Sequence, residues 1–187
     1  YQQRDIILSG GTPITDTLSI GGAAAMYRRD GFGQNLVTGA EHYNKDVKAF
    51  RGTVEWSPSD NLFIRLAGDI LNDDSRPRHG HREAPGLGLA DGETVLPDEY
   101  DTRAGVGDVN SVETKGLSLL AEWTLSDMLT FKSITAWREG DTETLIDFDN
   151  SPSAALDVPG YYDDSQLTQE LQLVYAGERL SAVGGVF

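Results

Sequence analysis

Hydrophobic and polar residues alternate with a period of two along several stretches of the chain, which is the pattern of β-strands with one apolar face. In the clearest stretch, Ile64 and Leu66 fall on one face and Arg65 falls on the other. The alternation predicts an all-β fold, an antiparallel meander of about eight strands. The predicted strands lie at about residues 1–8, 17–29, 48–56, 62–72, 113–123, 129–139, 165–175 and 180–187.

Two kinds of connection alternate between these strands. Four are tight polar turns that end in leucine, at residues 13–18, 57–62, 124–129 and 176–180. Three are long and rich in Asp, Gly and Pro, at about residues 30–47, 73–112 and 140–164. The aromatic residues predicted to mark membrane interfaces are Trp56, Trp123 and Tyr175 at the short-turn rim, and Tyr27 and Trp137 at the opposite rim.

Short turns at one rim, long polar loops at the other and a level of aromatic rings are typical of transmembrane β-barrels. The sequence therefore predicts part of such a barrel in a bacterial outer membrane, in contact with its lipid. No apolar run reaches the roughly 18 residues of a membrane-spanning helix. Two alternatives remain open, namely a soluble antiparallel β-sandwich that binds a ligand or partner through its loops, and a self-contained small outer-membrane barrel.

The charge balance excludes one large class of partner. The 187 residues include 15 Lys plus Arg against 30 Asp plus Glu, so the net charge is −15. An acidic surface without a basic stripe lacks the electrostatic attraction on which nucleic-acid binding depends. The absence of cysteine from the sequence also excludes thiolate metal sites and cysteine nucleophiles.

The sequence contains no motif specific for catalysis or cofactor binding. The glycine pairs at residues 31–33 and 86–88 lack the third glycine of a dinucleotide fingerprint. No serine lies in a G-x-S-x-G elbow, and no lysine follows a glycine run as in a phosphate loop. We therefore predict that the chain is not an enzyme and requires no cofactor.

Four phrases of the sequence resemble segments of TonB-dependent outer-membrane receptors, of the type that takes up iron complexes and siderophores. The first, at residues 25–39, reads AMYRRDGFGQNLVTG and is similar to a barrel segment with a tyrosine, basic residues and then DG[FY]xxNLxTG. The others look like later hairpins of the same family: RGTVEWSPSDNL at 51–62, FKSITAWR at 131–138 and QLTQELQL at 166–173. The resemblance covers nearly the whole chain in order.

This resemblance implies an active importer with a barrel of about 22 strands and an N-terminal plug. Such a receptor binds a ferric siderophore or a similar scarce nutrient and uses the energy of the inner-membrane TonB complex. Residues 1–187 contain neither a plug domain nor a TonB box, so we expect a partial barrel that contacts TonB only through missing parts of the parent chain. Topology agrees, because short turns facing the periplasm would leave both chain ends at the outer rim.

A basic segment stands out in the second long connection. Guanidinium groups suit carboxylates and other anions, so this segment is a candidate site for an anionic ferric complex. The alternative is a solvated loop that balances nearby acidic residues. Two histidines without a third ligand at diagnostic spacing do not predict a metal site. The candidate substrate-binding residues are Arg76, Arg78, His79, His81 and Arg82.

Acidic residues gather in the same long connections, and carboxylates are the ligands that Ca²⁺ prefers. Residues 147–151 begin like a calcium loop, but Pro152 stands where the turn needs glycine and no glutamate closes the span. Solvated loops are therefore the favoured interpretation. The two acidic groups are Asp91, Glu93, Asp98, Glu99 and Asp101, and Asp141, Glu143, Asp147, Asp149, Asp163 and Asp164.

The charged residues within the predicted strands occupy the positions opposite the apolar ones. In a barrel wall, this alternation places them toward the lumen, where they would contact a plug or line the substrate path. The predicted lumen-facing wall residues are Arg65, Asp69, Glu122, Lys132, Arg138 and Glu170.

Overall fold

The computed structural model describes residues 1–84 and 94–187. The glycines of residues 86–88 and the acidic residues Asp91 and Glu93 lie outside the described residues. The strands are β1 (Arg4–Pro13), β2 (Leu18–Arg29), β3 (Gly33–Gln34), β4 (Glu41–His42), β5 (Lys45–Ser59), β6 (Leu62–Asp73), β7 (Asn110–Ser126), β8 (Leu129–Asp147), β9 (Asp157–Ala176) and β10 (Ser181–Val186).

Eight of the strands form one antiparallel sheet in the order β1-β2-β5-β6-β7-β8-β9-β10. The short strands β3 and β4 form a separate hairpin inside the first long connection. The prediction of an all-β antiparallel meander of eight strands is confirmed. Each neighbouring pair is consecutive along the chain apart from that small hairpin, so short turns and long connections alternate as expected.

The arrangement differs from both alternatives considered for the sequence. Within the described ranges no second large sheet packs on the first, as a β-sandwich requires. β1 and β10 are the two ends of the sheet and are not paired with each other, so the sheet does not close into a small barrel. The described residues also contain no helix long and apolar enough to cross a membrane.

The third long connection is shorter than the sequence predicted. Residues 140–164 were expected to form a loop, but β8 continues to Asp147 and β9 begins at Asp157. The ladder between them pairs Leu145 with Pro159 and Ile146 with Val158. The polar composition of these residues indicated a loop. A hairpin can nevertheless be polar on both faces, because its strands are joined by backbone hydrogen bonds that do not depend on an apolar face. The first strand is also displaced, since β1 runs to Pro13 rather than ending near residue 8.

The register keeps all eight strands in phase, so that side chains of like character share one face. Ile20, Val54 and Leu66 are neighbours across β2, β5 and β6, and Leu119 continues the row on β7. We call this surface the apolar face. Its exposed large side chains include Leu8, Ile20, Phe50, Val54, Leu66, Leu117, Leu119, Leu167, Leu171 and Leu173.

The apolar face has no covering layer within the described residues. Leu167 on β9 is 74% exposed, and among residues 1–84 and 94–187 the only buried hydrophobic ones are Ala67 and Ala104. Soluble monomers rarely expose contiguous apolar surface of more than a few hundred Å². The sheet therefore lacks an internal hydrophobic core and presents its apolar side chains to its surroundings.

The opposite surface, which we call the charged face, is crossed by ion pairs. Arg65 Nε lies 2.7 Å from Glu55 Oε1, and these residues are direct partners in the ladder of β5 and β6. Lys132 Nζ lies 2.9 Å from Glu122 Oε1 in the ladder of β7 and β8. The charged face thus compensates its own charges between adjacent strands.

A third ion pair on this face spans three strands. Arg138 on β8 reaches over Gly116 on β7, and its Nη2 lies 2.6 Å from Asp69 Oδ2 on β6. A Cβ atom at position 116 would lie 3.2 Å from Arg138 Nε. Glycine at position 116 therefore leaves the space through which the guanidinium passes.

We predict that Gly116→Val separates Arg138 from Asp69. In a double-mutant cycle on the free energy of unfolding, Asp69→Asn and Arg138→Gln should couple by about 0.2–1 kcal/mol with glycine at position 116. With valine there, the coupling should vanish. Gly52→Val on β5 is the matched control, because a Cβ at that position meets nothing within 4 Å. Equal coupling in both glycine variants would contradict the prediction.

Candidate functional site

The long connections pack together into one layer at the end of the sheet opposite the short turns. We call residues 30–44, 74–84, 94–109 and 148–156 the loop layer. Almost all of the buried polar side chains lie in it, and Asp147 lies at the strand end that enters it. These buried residues are Asn35, His42, His79, Thr102, Asp147 and Ser151.

Asn35 joins the first and second connections. Its side-chain oxygen accepts a 2.9 Å hydrogen bond from the Val37 backbone N–H, which forms the turn that Gly39 completes at a φ of 76°. Its Nδ2 donates to the Ala104 carbonyl at 2.9 Å. The backbone also forms an isolated parallel bridge to Thr102. The asparagine thus shapes one loop and fastens it to the next.

A second buried group in the loop layer consists of His42, His79 and Asp108. His42 is fully buried and its Nε2 lies 2.6 Å from Asp108 Oδ1. The His79 ring lies 5.1 Å from the His42 ring, centroid to centroid, and His79 Nε2 donates to the Gly107 carbonyl at 2.8 Å. One ligand atom from each of the three residues lies within 4.8 Å of the others.

Burial and hydrogen bonding set the charges in this group. Burial lowers the pKa of His42, although the hydrogen bond to Asp108 opposes that shift. Burial alone would raise the pKa of Asp108, but hydrogen bonds from His42, Thr38 and Asn35 bring that pKa below its usual value. The lowered pKa values favour a neutral His42 imidazole and an ionised Asp108 carboxylate, which are the forms in which these side chains bind metal ions.

Three carboxylates converge where β8 and β9 enter the loop layer. Ligand atoms of Asp147, Asp149 and Asp157 lie within 4.8 Å of one another. Asp147 Oδ2 accepts from the Gly105 N–H at 2.9 Å, and Asp149 Oδ2 accepts from the Leu156 N–H at 2.8 Å. Asp157 Oδ1 is buried without a hydrogen-bond partner in the described part of the chain. Burial and the two neighbouring aspartates raise the pKa of Asp157.

The side chains of the basic segment, residues 76–82, do not meet at a single site. Arg76 and Arg78 are exposed, and the Arg78 guanidinium lies 6.0 Å from the centre of the Tyr43 ring. His79 is buried in the group described above. His81 Nδ1 donates to the Asp101 carbonyl at 2.9 Å, and Arg82 Nη1 donates to the Asp149 carbonyl at 3.0 Å. These last three residues fasten loops to one another, whereas Arg76 and Arg78 are the exposed side chains of the segment.

Arg76 instead faces a polar cleft that the sequence did not reveal. The cleft has a volume of about 330 Å³ and lies at the loop end of β1, β2 and β5. Five basic side chains and three carboxylates line it. They are Arg4, Arg28, Arg29, Lys45 and Arg76, with Asp30, Glu41 and Asp46. The Arg28-Arg29 pair was visible in the sequence, but the strand register that joins it to Arg4 was not.

A cluster of aromatic rings borders this cleft. Phe32 stacks on Tyr43 with a centroid distance of 4.8 Å, and the Tyr100 ring meets Phe32 edge-on at 4.9 Å. The guanidinium of Arg29, which lines the cleft, lies 5.3 Å from the centre of the Phe32 ring. Cationic and aromatic groups therefore occupy neighbouring positions in the loop layer.

The structure places all six predicted wall residues on the charged face. Five of them take part in the ion pairs described above, and the sixth, Glu170, accepts a 2.6 Å hydrogen bond from Gln172 Nε2. Their alternation with the apolar face is therefore as predicted. Their orientation toward a lumen stays a prediction. The six residues are Arg65, Asp69, Glu122, Lys132, Arg138 and Glu170.

Four of the five predicted interface aromatics share the apolar face. Trp56, Trp123 and Tyr175 lie beside the short turns, and Trp137 lies between Leu117 and Leu167 farther along the sheet. Tyr27 lies on the charged face, where Lys45 Nζ is 4.3 Å from the centre of its ring, and its place at a membrane interface stays a prediction. Tyr27 sits at an odd position of β2, one residue out of phase with Met26 and Arg28.

The sheet and its loop layer together have a fold that also occurs in three receptors for ferric complexes. The ferric yersiniabactin uptake receptor of Yersinia pestis matches 98% of this chain at a TM-score of 0.72 and 21% identity. The ferric-catecholate import receptor of Escherichia coli K12 matches 92% at 0.61 and 13% identity. A mutant of the ferric enterobactin receptor of Pseudomonas aeruginosa matches 92% at 0.60 and 10% identity.

These matches concern fold and extend over part of each receptor. The chain spans 27%, 27% and 26% of the three receptors' own lengths. No protein-family model and no curated protein sequence matches the chain. All three similar structures are described as receptors for ferric complexes.

We predict that substitution of two aspartates of the carboxylate group has opposite effects on the stability of the end of the β8–β9 hairpin. The raised pKa of Asp157 means that its ionisation destabilises the folded hairpin as the pH rises above the ordinary carboxyl value of 3.8. Asp157→Asn should therefore increase amide hydrogen-exchange protection of residues 147–157 at pH 7, in buffer with a chelator. This gain should disappear in acid.

Asp147→Asn is the matched control at the same end of the hairpin. Asp147 accepts hydrogen bonds with both oxygens, from the Gly105 and Asn150 N–H groups. An amide offers one acceptor oxygen, so one N–H group would lose its partner and protection should fall. A change in the same direction for both variants would contradict this interpretation.

Proposed function

We propose that the chain is a wall segment of a TonB-dependent outer-membrane receptor that imports a ferric siderophore or a similar scarce nutrient. Its strands contribute to the barrel and its long connections to the extracellular surface. The apolar face carries this proposal, because large apolar side chains recur across one side of the eight-stranded sheet and no layer of described residues covers them. Lipid is the surrounding that such a surface suits best.

The dimensions of the apolar face support a bilayer as its surrounding. On β8 the apolar face extends from Leu129 beside the short turn to Trp137. At a rise of about 3.4 Å per residue, these eight steps cover roughly 27 Å of strand. With a tilt of about 40°, the height is roughly 20 Å, close to the apolar band of about 25 Å in outer-membrane barrels. Beyond Trp137 the same face becomes polar at Glu139 and Asp141.

The charged face then lines the lumen, and the loop layer faces the outside of the cell. The ion pairs between Glu55 and Arg65 and between Glu122 and Lys132 neutralise the wall along the substrate path. The TonB complex acts through parts of the receptor other than these residues. Nucleic acid is not a partner, since the net charge of −15 opposes it.

The cargo contacts the exposed cations of the loop layer. Arg76 and Arg78 are accessible, and the cleft beside them adds the basic side chains of Arg29 and Lys45. Guanidinium groups pair with the anionic oxygens of a metal chelate, and the neighbouring rings of Phe32 and Tyr43 offer flat apolar surface. His79, His81 and Arg82 contribute by holding the loops in place.

We predict opposite environments for the two faces in a lipid bilayer. The chain contains no cysteine, so single cysteines introduced into it can be spin-labelled selectively in a cysteine-free receptor. Labels at Leu119→Cys and Leu171→Cys should be accessible to oxygen dissolved in lipid. Labels at Ser118→Cys and Gln172→Cys should be accessible to a water-soluble nickel complex. A reversed pattern, or one environment for all four labels, would contradict the membrane-wall assignment.

We predict that deletion of the gene abolishes uptake of its ferric complex during iron limitation, and that loss of the TonB complex does the same.

Arg76→Glu together with Arg78→Glu should weaken binding of radiolabelled ferric complex at least tenfold, since charge-assisted hydrogen bonds contribute about 1.5–3 kcal/mol. Arg179→Glu is the control, because Arg179 is exposed at the short-turn rim. Undiminished uptake in the deletion strain, across a panel of ferric siderophores, would refute the proposal.

A further inference from the structure

The group formed by His42, His79 and Asp108 has features that the proposed receptor function does not use. It lies in the interior of the loop layer, where His42 is fully buried and His79 is 6% exposed. Cargo that approaches from outside would meet the exposed arginines first. The three residues come from three separate chain segments, on β4, after β6 and before β7.

The hydrogen bonds of the two imidazoles leave the same ring atom available on each. His79 Nε2 donates to the Gly107 carbonyl, because a carbonyl oxygen only accepts, which leaves Nδ1 as the ring nitrogen available to a further partner. His42 Nε2 faces the ionised Asp108 carboxylate, which places the lone pair of its neutral ring on Nδ1 as well. His42 Nδ1 is buried and has no hydrogen-bond partner within residues 1–84 and 94–187.

This pattern is the one found around metal-binding histidines. Such histidines donate the second ring N–H to a carboxylate or a backbone carbonyl, which fixes the tautomer and the ring orientation. A buried imidazole nitrogen without a partner is otherwise costly. Two imidazoles bound to one tetrahedral ion at about 2.0 Å have ring centroids roughly 5 Å apart. The 5.1 Å between His42 and His79 agrees with that geometry.

We propose that His42 and His79 bind one divalent transition-metal ion through Nδ1, while Asp108 holds the His42 ring through its Nε2, and that the ion fastens the first and second long connections to each other. Imidazole nitrogens suit zinc and its neighbours in the first transition row, whereas Ca²⁺ and Mg²⁺ prefer oxygen ligands. The ion is a structural component of the loop layer and is distinct from the imported cargo. The inference does not depend on the proposed transport function, because it follows from the loop geometry alone.

The three residues are 37 and 29 residues apart in sequence, counted from His42 to His79 and from His79 to Asp108. Closing such long loops costs conformational entropy, which metal binding offsets. The bound ion should therefore stabilise the loop layer without stabilising the sheet. Proteolysis of the loops and unfolding of the sheet should respond differently to a chelator.

The test uses the full-length gene product in detergent, treated with a chelator and then titrated with Zn²⁺ in a calorimeter and with Co²⁺ in a spectrophotometer. We expect the wild-type protein to bind one ion. The affinity should fall at least tenfold in His42→Gln, in His79→Gln and in Asp108→Asn. Asp108→Glu should retain most of the affinity. His81→Gln is the matched control, since His81 already donates from Nδ1 to the Asp101 carbonyl and is not in the group.

A second measurement needs no variant and so does not depend on whether the variants fold. X-ray absorption of the wild-type protein loaded with one equivalent of Zn²⁺ should show two imidazole ligands and oxygen in the remaining positions. No stoichiometric binding, unchanged affinity in the combined His42→Gln and His79→Gln variant, or fewer than two imidazole ligands would each overturn the proposal. Because transport is not measured, this outcome is independent of the uptake experiment.

Discussion

The structure depends on the continuous in-phase ladder of backbone hydrogen bonds across eight strands. Each antiparallel pair places partners directly opposite each other, and successive side chains point to opposite faces. A shift of one residue between any two strands would move an entire set of side chains to the other face. The rows that include Ile20, Val54, Leu66 and Leu119 are apolar because the register is constant there. The register shifts between Trp56 and Ser59 and between Thr124 and Ser126 lie beside the short turns, at the ends of the ladders.

The ladder also explains why the two layers of the molecule are stabilised differently. The sheet has no hydrophobic core of its own, so its two faces depend on their surroundings and on ion pairs such as Glu122 with Lys132. The loop layer, in contrast, buries asparagine, histidine and aspartate side chains that are joined by hydrogen bonds. Polar burial of this kind requires partners for every group, which makes the layer specific in shape.

The sheet could be predicted well from the sequence because its signals are local. A strand such as β6 shows its two faces in a dozen consecutive residues, and the turn after Ser59 shows its leucine at Leu62. The extent of β8 and β9 was underestimated because a hairpin surrounded by water has the polar composition of a loop. The face on which Tyr27 lies could not be predicted, because the small residues that precede it suit either face.

The site could be predicted much less well, since its contacts join distant segments. His79 was singled out beside His81, yet its neighbours are His42 and Asp108, and periodicity does not report the path of a loop. Arg76 was found by composition, but its cleft depends on the pairing of Arg4 with Arg28 at the far end of β1 and β2. Local sequence patterns therefore predict the sheet. The side chains that meet in the loop layer depend instead on where the strands of the sheet end.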